Sequence, residues 1–183
     1  SMITLFWDES DGVFYDTGGD HEELLVRPRD IFDNAQPSGS SAATMFLFRI
    51  AALTGETEFR RIASLSMQSV AEILEQAPSG LANWLIALDF CTSSPVEIAL
   101  IGPRKHPTIH EFIKTVSMRY MPNRIFAGSA TACEKPISPL LLGKDLIDQR
   151  PVAYVCKDYV CNLPALTVDS LTAQLVNSDN ELS

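Results

Sequence analysis

The residues whose types could do chemistry crowd into one stretch, from Gly12 to Ala43, reading GVFYDTGGDHEELLVRPRDIFDNAQPSGSSAA. It carries Asp16, Asp20, His21, Glu22, Arg27, Arg29 and Asp33 among aromatic and aliphatic residues. Carboxylates beside a histidine and two arginines suit general acid/base work, or a grip on a polyol or a carboxylate. Paired carboxylates about 5–10 Å apart would suit glycoside chemistry. The competing reading of the same residues is a solvated, ion-paired loop that clasps helix ends. No spacing here matches a specific catalytic motif.

Two further groups are weaker. Cys156 and Cys161 are separated by four residues, whereas a redox dithiol usually has two between its sulfurs, at a helix start. A zinc site would need two more ligands, and neither Cys91 nor Cys133 has a partner at ligand spacing. A structural role for Cys156 and Cys161 is therefore the leading expectation, with thiol redox second. The loop Gly102-Pro103-Arg104-Lys105-His106-Pro107-Thr108 follows a strand pattern and opens a helix, a place where amides can hold an anion. Pro103 and Pro107 each remove a donor, and an ordinary exposed loop is the expectation. No metal site and no cofactor are expected.

The elements that must position these groups are legible from periodicity. Residues 3–7 are apolar and end at the acidic turn Asp8–Gly12. Val13-Phe14-Tyr15 and Leu24-Leu25-Val26 predict a small hairpin. Helical spacing of Ala43, Phe46, Leu47 and Ile50 predicts a helix capped by Ser40 or Ser41 and ended by Gly55. A second helix is expected after Thr57, with Phe59, Ile62, Ala63, Val70, Ile73 and Leu74 inward. A third follows Pro78-Ser79 and carries apolar residues on two sides, which predicts burial between layers. Short loops predict antiparallel neighbours.

After Pro95 the pattern changes. Val96–Ile101 reads as a buried strand, Ile109–Tyr120 as an amphipathic helix and Arg124–Ala127 as a second strand, which together read as a βαβ unit. Leu140–Leu142 suggests one helical turn, Pro151–Cys156 a third strand, and Thr167 or Asp169 the start of a last helix. The expected fold class is α+β: antiparallel helices over residues 3–92, a small α/β module with a mostly parallel three-stranded sheet over 95–176, and a frayed tail over 177–183.

Composition narrows the partners. With 183 residues, 46% hydrophobic and 20% charged, the chain can bury a sizeable core. Its net charge of −9 opposes the phosphate backbone of nucleic acid and anionic membrane surfaces, so neither is expected as a partner. No apolar run reaches the length of a membrane span. The sparse cysteines and the lack of a signal-peptide pattern predict a cytoplasmic, reduced protein. Ser1-Met2 reads as a remnant of tag removal.

The opening stretch resembles a segment written GGFFDTxxDHExLxxRPKxxxDGAxPSGNSxA, found in the YyaL-like thioredoxin-domain proteins, also called the spermatogenesis-associated thioredoxin-domain family. The similarity continues through LTGETEF, ALDF, VEIALIGP and AYVCKDYVCNLPALTVDSL, and so covers nearly the whole chain. The matching positions include Asp16, Asp20, His21, Glu22, Arg27, Asp33, Pro37, Ser38, Gly39 and Ser41. Val13, Arg29, Asn34 and Ser40 depart from the pattern.

The resemblance implies a longer parent with a thioredoxin-like domain and a six-hairpin (α/α) toroid similar to those of sugar epimerases and glycosidases. The helices here would then be the end of that toroid. It implies a sugar-like ligand, with Asp16, His21 and Asp33 in catalytic roles and Asp20, Glu22, Arg27, Arg29, Ser38 and Ser41 binding substrate. The fragment alone is expected to be inactive. The alternative is a non-catalytic scaffold that packs on a thioredoxin-like domain.

Overall fold

Helix-forming periodicity dominates the first half of the chain and strand-forming runs the second, and the two halves fold as separate units. The computed structural model describes residues 1–20, 26–158 and 160–180, the side chains of 178–180 excepted. Unit 1 comprises Ser1–Ala52 and Glu56–Thr92; unit 2 comprises Leu53–Gly55 and Ser93–Ser183. Seven α-helices and two sheets make this a mixed α and β structure among the described residues.

Unit 1 opens with α1 (Met2–Phe6), whose first turn is capped by the Ser1 hydroxyl accepting from the Thr4 amide. Strand β1 (Trp7–Asp8) pairs antiparallel with β2 (Val13–Phe14), Trp7 opposite Phe14. The Asp8 carboxylate accepts from the Ser10 and Asp11 amides and turns the chain back from β1 into β2. Leu24 and Leu25 lie outside the described residues, and Val26 is an exposed bend.

Helix α2 (Gly39–Thr54) begins at least two residues earlier than its expected caps allow. Ser38 is the capping residue, its Oγ accepting from the Ser41 amide at 3.2 Å. Ser40 and Ser41 instead sit buried inside the first turn. The expected second helix is split into α3 (Thr57–Gln68) and α4 (Ala71–Gln76). Thr57 is the first helical residue of α3; Glu56 holds the capping position without a side-chain bond.

Helix α5 (Ala82–Thr92) buries Trp84, Ala87 and Phe90. Its second apolar side, Leu85, Ile86 and Leu88, is 36–49% exposed among the described residues.

Unit 2 holds β3 (Val96–Ile101), α6 (Pro107–Ser117), β4 (Arg124–Ser129), β5 (Val152–Lys157), β6 (Val160–Cys161) and α7 (Val168–Asn180). Strand order is β4-β3-β5-β6. The βαβ unit forms as expected, with β3 and β4 parallel. Strand β5, however, runs antiparallel to β3, and β6 antiparallel to β5. The mostly parallel sheet is thus corrected to a mixed four-stranded one. A parallel return needs a crossover long enough to carry the chain back along the sheet, usually a helix. The segment from 130 to 151 contains Pro136, Pro139 and Pro151 and a single 3₁₀ turn at Pro139–Leu141, so β5 enters at the end where β4 leaves.

One sheet face carries Val96, Ile98, Leu100, Ala153 and Val155, and packs with Ile109, Phe112 and Val116 of α6 and Leu171 and Leu175 of α7. Among the described residues no helix is long and apolar enough to cross a membrane.

Candidate functional site

The polar stretch is positioned by the start of α2. Asp33 spends both carboxylate oxygens on helix starts. Its Oδ1 accepts from the Ser38 amide at 2.9 Å and the Ser41 hydroxyl at 2.6 Å. Its Oδ2 accepts from the amides of Asn83 at 2.8 Å and Trp84 at 3.4 Å, in the first turn of α5. The Asn83 side chain donates to Ser41 Oγ at 3.0 Å, and Trp84 Nε1 donates to the Ile31 carbonyl at 2.8 Å. This knot ties two helix N-termini to one loop. Asp33, Ser38 and Ser41 are thereby engaged in structure, an arrangement that leaves Asp33 ill placed to take a proton from a substrate.

The arginines are likewise committed. One Arg27 nitrogen donates to the Thr17 carbonyl at 2.7 Å, and the guanidinium stacks on the Tyr15 ring, 4.3 Å from its centroid. Arg29 donates to Ser69 Oγ at 2.6 Å, and Ser69 in turn donates to the Ser66 carbonyl. Burial pulls the Arg29 guanidinium below its ordinary value, opposed by the nearby charges of Tyr15, Asp16 and Asp11.

Asp16 stands differently. Its Oδ2 accepts from the Asp30 amide at 2.7 Å. It also lines a cavity of about 220 Å³ with Met2, Phe6, Phe14, Tyr15, Gly39 and Ala43. A Cβ added to Gly39, the first residue of α2, would lie 3.4 Å from Asp16 Oδ1. Asp16 and Asp33 therefore both sit at the first turn of α2, where the helix dipole favours negative charge. That end of the helix is already occupied by carboxylates, so the cavity suits a neutral, hydroxyl-bearing ligand better than an anion. The Tyr15 hydroxyl donates to Asp11 at 2.7 Å, and this bond raises the phenol above its ordinary value. Tyr15 stays a neutral group at neutral pH.

His21 and Glu22 lie outside the described residues. Asp20 is exposed at its turn. In sequence Tyr15 reads only as a strand residue and Trp84 only as an apolar residue of the third helix, and Asn83 carries no signal of its own. The four-residue spacing of Asp11 and Tyr15 was a usable signal for the first. The link from Asp33 to residues fifty positions away left none.

Elsewhere, the amides in the first turn of α6, after the proline-flanked loop, are already bound. His106 Nδ1 accepts from the Thr108 amide at 3.2 Å and caps α6, and the Ile109 amide is bound to the His106 carbonyl. A largely apolar cleft of about 320 Å³ lies beside it, with Leu100, Ile109, Ile113 and Phe126 as walls and Arg104 at its edge. Among the described residues no cluster of three or more His, Cys, Asp or Glu side chains could hold a metal. Cys156 and Cys161 are joined in a disulfide, while Cys91 and Cys133 are free thiols.

The chain is similar to spermatogenesis-associated protein 20. The human protein of that name is 23% identical over 164 residues, covering 87% of this chain and 21% of its own length. The rat protein of the same name is 22% identical over the same span. An uncharacterised Caenorhabditis elegans protein is 23% identical over 166 residues, covering 91% of this chain and 22% of its own. No family model matches the chain. The chain spans about a fifth of the length of these curated relatives.

Proposed function

We propose that unit 1 supplies one wall of a binding site for a neutral, sugar-like small molecule. The observation that carries this reading is the cavity in which the Asp16 carboxylate and the Tyr15, Phe14 and Phe6 side chains meet at the first turn of α2. Aromatic and aliphatic surface against a carboxylate acceptor is a composition that recognises a hydroxylated ring by its apolar face and its O–H donors. In this reading the helices of unit 1 belong to the end of an (α/α) toroid in a protein of the relatives' length. Asp16 is the group available to chemistry there, while Asp33 holds the scaffold.

Calorimetry against a panel of monosaccharides, disaccharides and linear polyols tests this on the chain and on a full-length relative. Binding that weakens at least tenfold in Asp16→Ala supports the reading. Absence of binding across the panel, or binding indifferent to Asp16→Ala, rejects it.

A second reading is favoured by the partly exposed Leu85, Ile86 and Leu88 on α5, with Phe46 of α2 also 56% exposed. Such a face suits packing against another domain, for which a thioredoxin-like domain is the candidate. Light scattering and binding of an apolar-surface dye distinguish the two. A monodisperse monomer that binds no dye rejects the docking reading.

A further inference from the structure

The Cys156–Cys161 bridge is redundant for the hairpin that carries it. The two cysteines are direct cross-strand partners in the β5–β6 ladder, five residues apart. Backbone bonds hold the same segment without the sulfurs. The Asn162 amide donates to the Val155 carbonyl at 2.9 Å, and Ala153 and Ala165 exchange both of their bonds. Gln174 of α7 donates to the Leu163 carbonyl at 2.8 Å. A bridge closing so short a loop removes little freedom from the unfolded chain. Stability alone therefore gives a weak reason for it.

Its placement gives a better one. Cys156 is buried at 2% exposure, whereas both β6 residues, Val160 and Cys161, are exposed. Strand β6 is the edge of its sheet, and an edge offers backbone groups to an incoming extended segment. A groove of about 460 Å³ runs beside it, lined by Cys156, Val160, Asn162, Leu163, Gln174 and Asn177. Val160 and Leu163 on its walls are 76% and 85% exposed, apolar side chains turned to solvent next to the sulfurs.

We propose that this bridge is a thiol–disulfide exchange centre whose partner is a dithiol-bearing protein segment laid along the β6 edge. One thiolate of the partner attacks Sγ of Cys161, the exposed residue of the pair. The partner–Cys161 bond forms, the Cys156–Cys161 bond breaks, and Cys156 leaves as a thiolate that takes up a proton. The partner's second thiol, deprotonated, then attacks its own sulfur in the mixed disulfide and releases Cys161. Two electrons pass from the dithiol to the bridge, which ends as two thiols. This centre lies in unit 2 and is independent of the sugar-site reading.

The test uses the whole chain carrying Cys91→Ser and Cys133→Ser, purified without reductant. Mass mapping after alkylation reads the oxidation state of Cys156 and Cys161. The expected starting state is fully bridged. Millimolar dithiothreitol should open the bridge in the folded protein within minutes, with far-UV circular dichroism unchanged. An extended peptide bearing two cysteines should open it faster at equal thiol concentration. Val160→Asp with Leu163→Asp should slow the peptide at least fivefold while leaving dithiothreitol unaffected. In Cys156→Ser, the Cys161 thiolate should form a mixed disulfide with a single-cysteine peptide activated as its thionitrobenzoate disulfide, releasing thionitrobenzoate, and in Cys161→Ser the folded chain should form none. Two free thiols at the start, a bridge that opens only in denaturant, or equal effects of the paired aspartates on peptide and dithiothreitol would each overturn the proposal.

Discussion

The carboxylate of Asp33 lies 2.8 Å from the backbone nitrogen of Asn83, fifty residues further along the chain. Its other oxygen lies 2.6 Å from the hydroxyl of Ser41. One side chain thus caps α5 and fastens the first turn of α2. Losing it exposes several polar groups at once, since a half-buried amide or hydroxyl without a partner keeps its desolvation cost. Asp33→Ala should destabilise unit 1 by about 2–4 kcal/mol. Asp33→Asn, which keeps a single acceptor oxygen, should cost about half as much. Urea unfolding with an unchanged slope checks both, and a loss below about 0.5 kcal/mol would show that the capping knot is not what holds the loop.

Gly102 ends β3 with φ +153°, and a Cβ there would meet Pro151 Cβ at 2.9 Å and Ile109 Cδ1 at 3.0 Å. Conformational strain and collision act together at this site. Gly143 has φ +70° but nothing within 4 Å of an added Cβ. Gly143→Ala should therefore cost about 1 kcal/mol, the backbone part alone, and Gly102→Ala roughly twice that or more. Thermal unfolding of the two variants side by side tests the order; equal shifts would remove the steric argument.

Thr44 and Ser66 share a fully buried hydrogen bond of 2.7 Å between α2 and α3. The Thr44 hydroxyl also donates to the Ser40 carbonyl at 2.8 Å, so Ser66 must be the donor to Thr44. The substitutions should then be unequal. Thr44→Val strands the Ser66 hydroxyl and should cost about 1–3 kcal/mol, whereas Ser66→Ala leaves Thr44 its acceptor and should cost less than about 1 kcal/mol. The double variant should be milder than the sum, as a double-mutant cycle by denaturant titration would read.

Arg61 donates to Glu9 at 2.6 Å and to Glu58 at 2.8 Å on the surface of unit 1. Its guanidinium, with the Trp7 indole N–H, pulls the Glu9 carboxyl down to about 2. A carboxyl depressed in the folded state contributes stability above its unfolded pKa, near 4.5, and loses it as pH falls toward about 2. All three groups are exposed, so salt should screen the effect. Carbon-detected NMR titration should find Glu9 moving toward the ordinary range in Arg61→Ala, and in half-molar salt for the native chain. An unmoved Glu9 in Arg61→Ala would assign the depression to Trp7 instead.

Local chemistry made much of this readable in advance. The serine run before an apolar period announced the start of α2, although Ser38 and not Ser40 or Ser41 is the cap. The difference is two or three residues, which the Asp33 contacts decide. The βαβ segment was legible because buried strands and an amphipathic helix have distinct periods. Strand β5 has the same apolar run whether it lies parallel or antiparallel, so its direction was not. In the opening stretch the residue types announced a polar cluster, and nothing local distinguished a catalytic carboxylate from a capping one.

By itself, then, the sequence determined the order of the main helices and strands and the one stretch rich in charge, because propensity, period and turn chemistry act over a few neighbouring residues. Tertiary structure decided what those residues do. It gave both oxygens of Asp33 to helix ends fifty residues apart, stacked Arg27 on Tyr15, left Asp16 at a cavity and set Cys156 opposite Cys161 at a sheet edge. Each of these outcomes depends on where a side chain's partner arrives in space, and for Asp33 and Asn83 that is fixed by packing and not by separation along the chain.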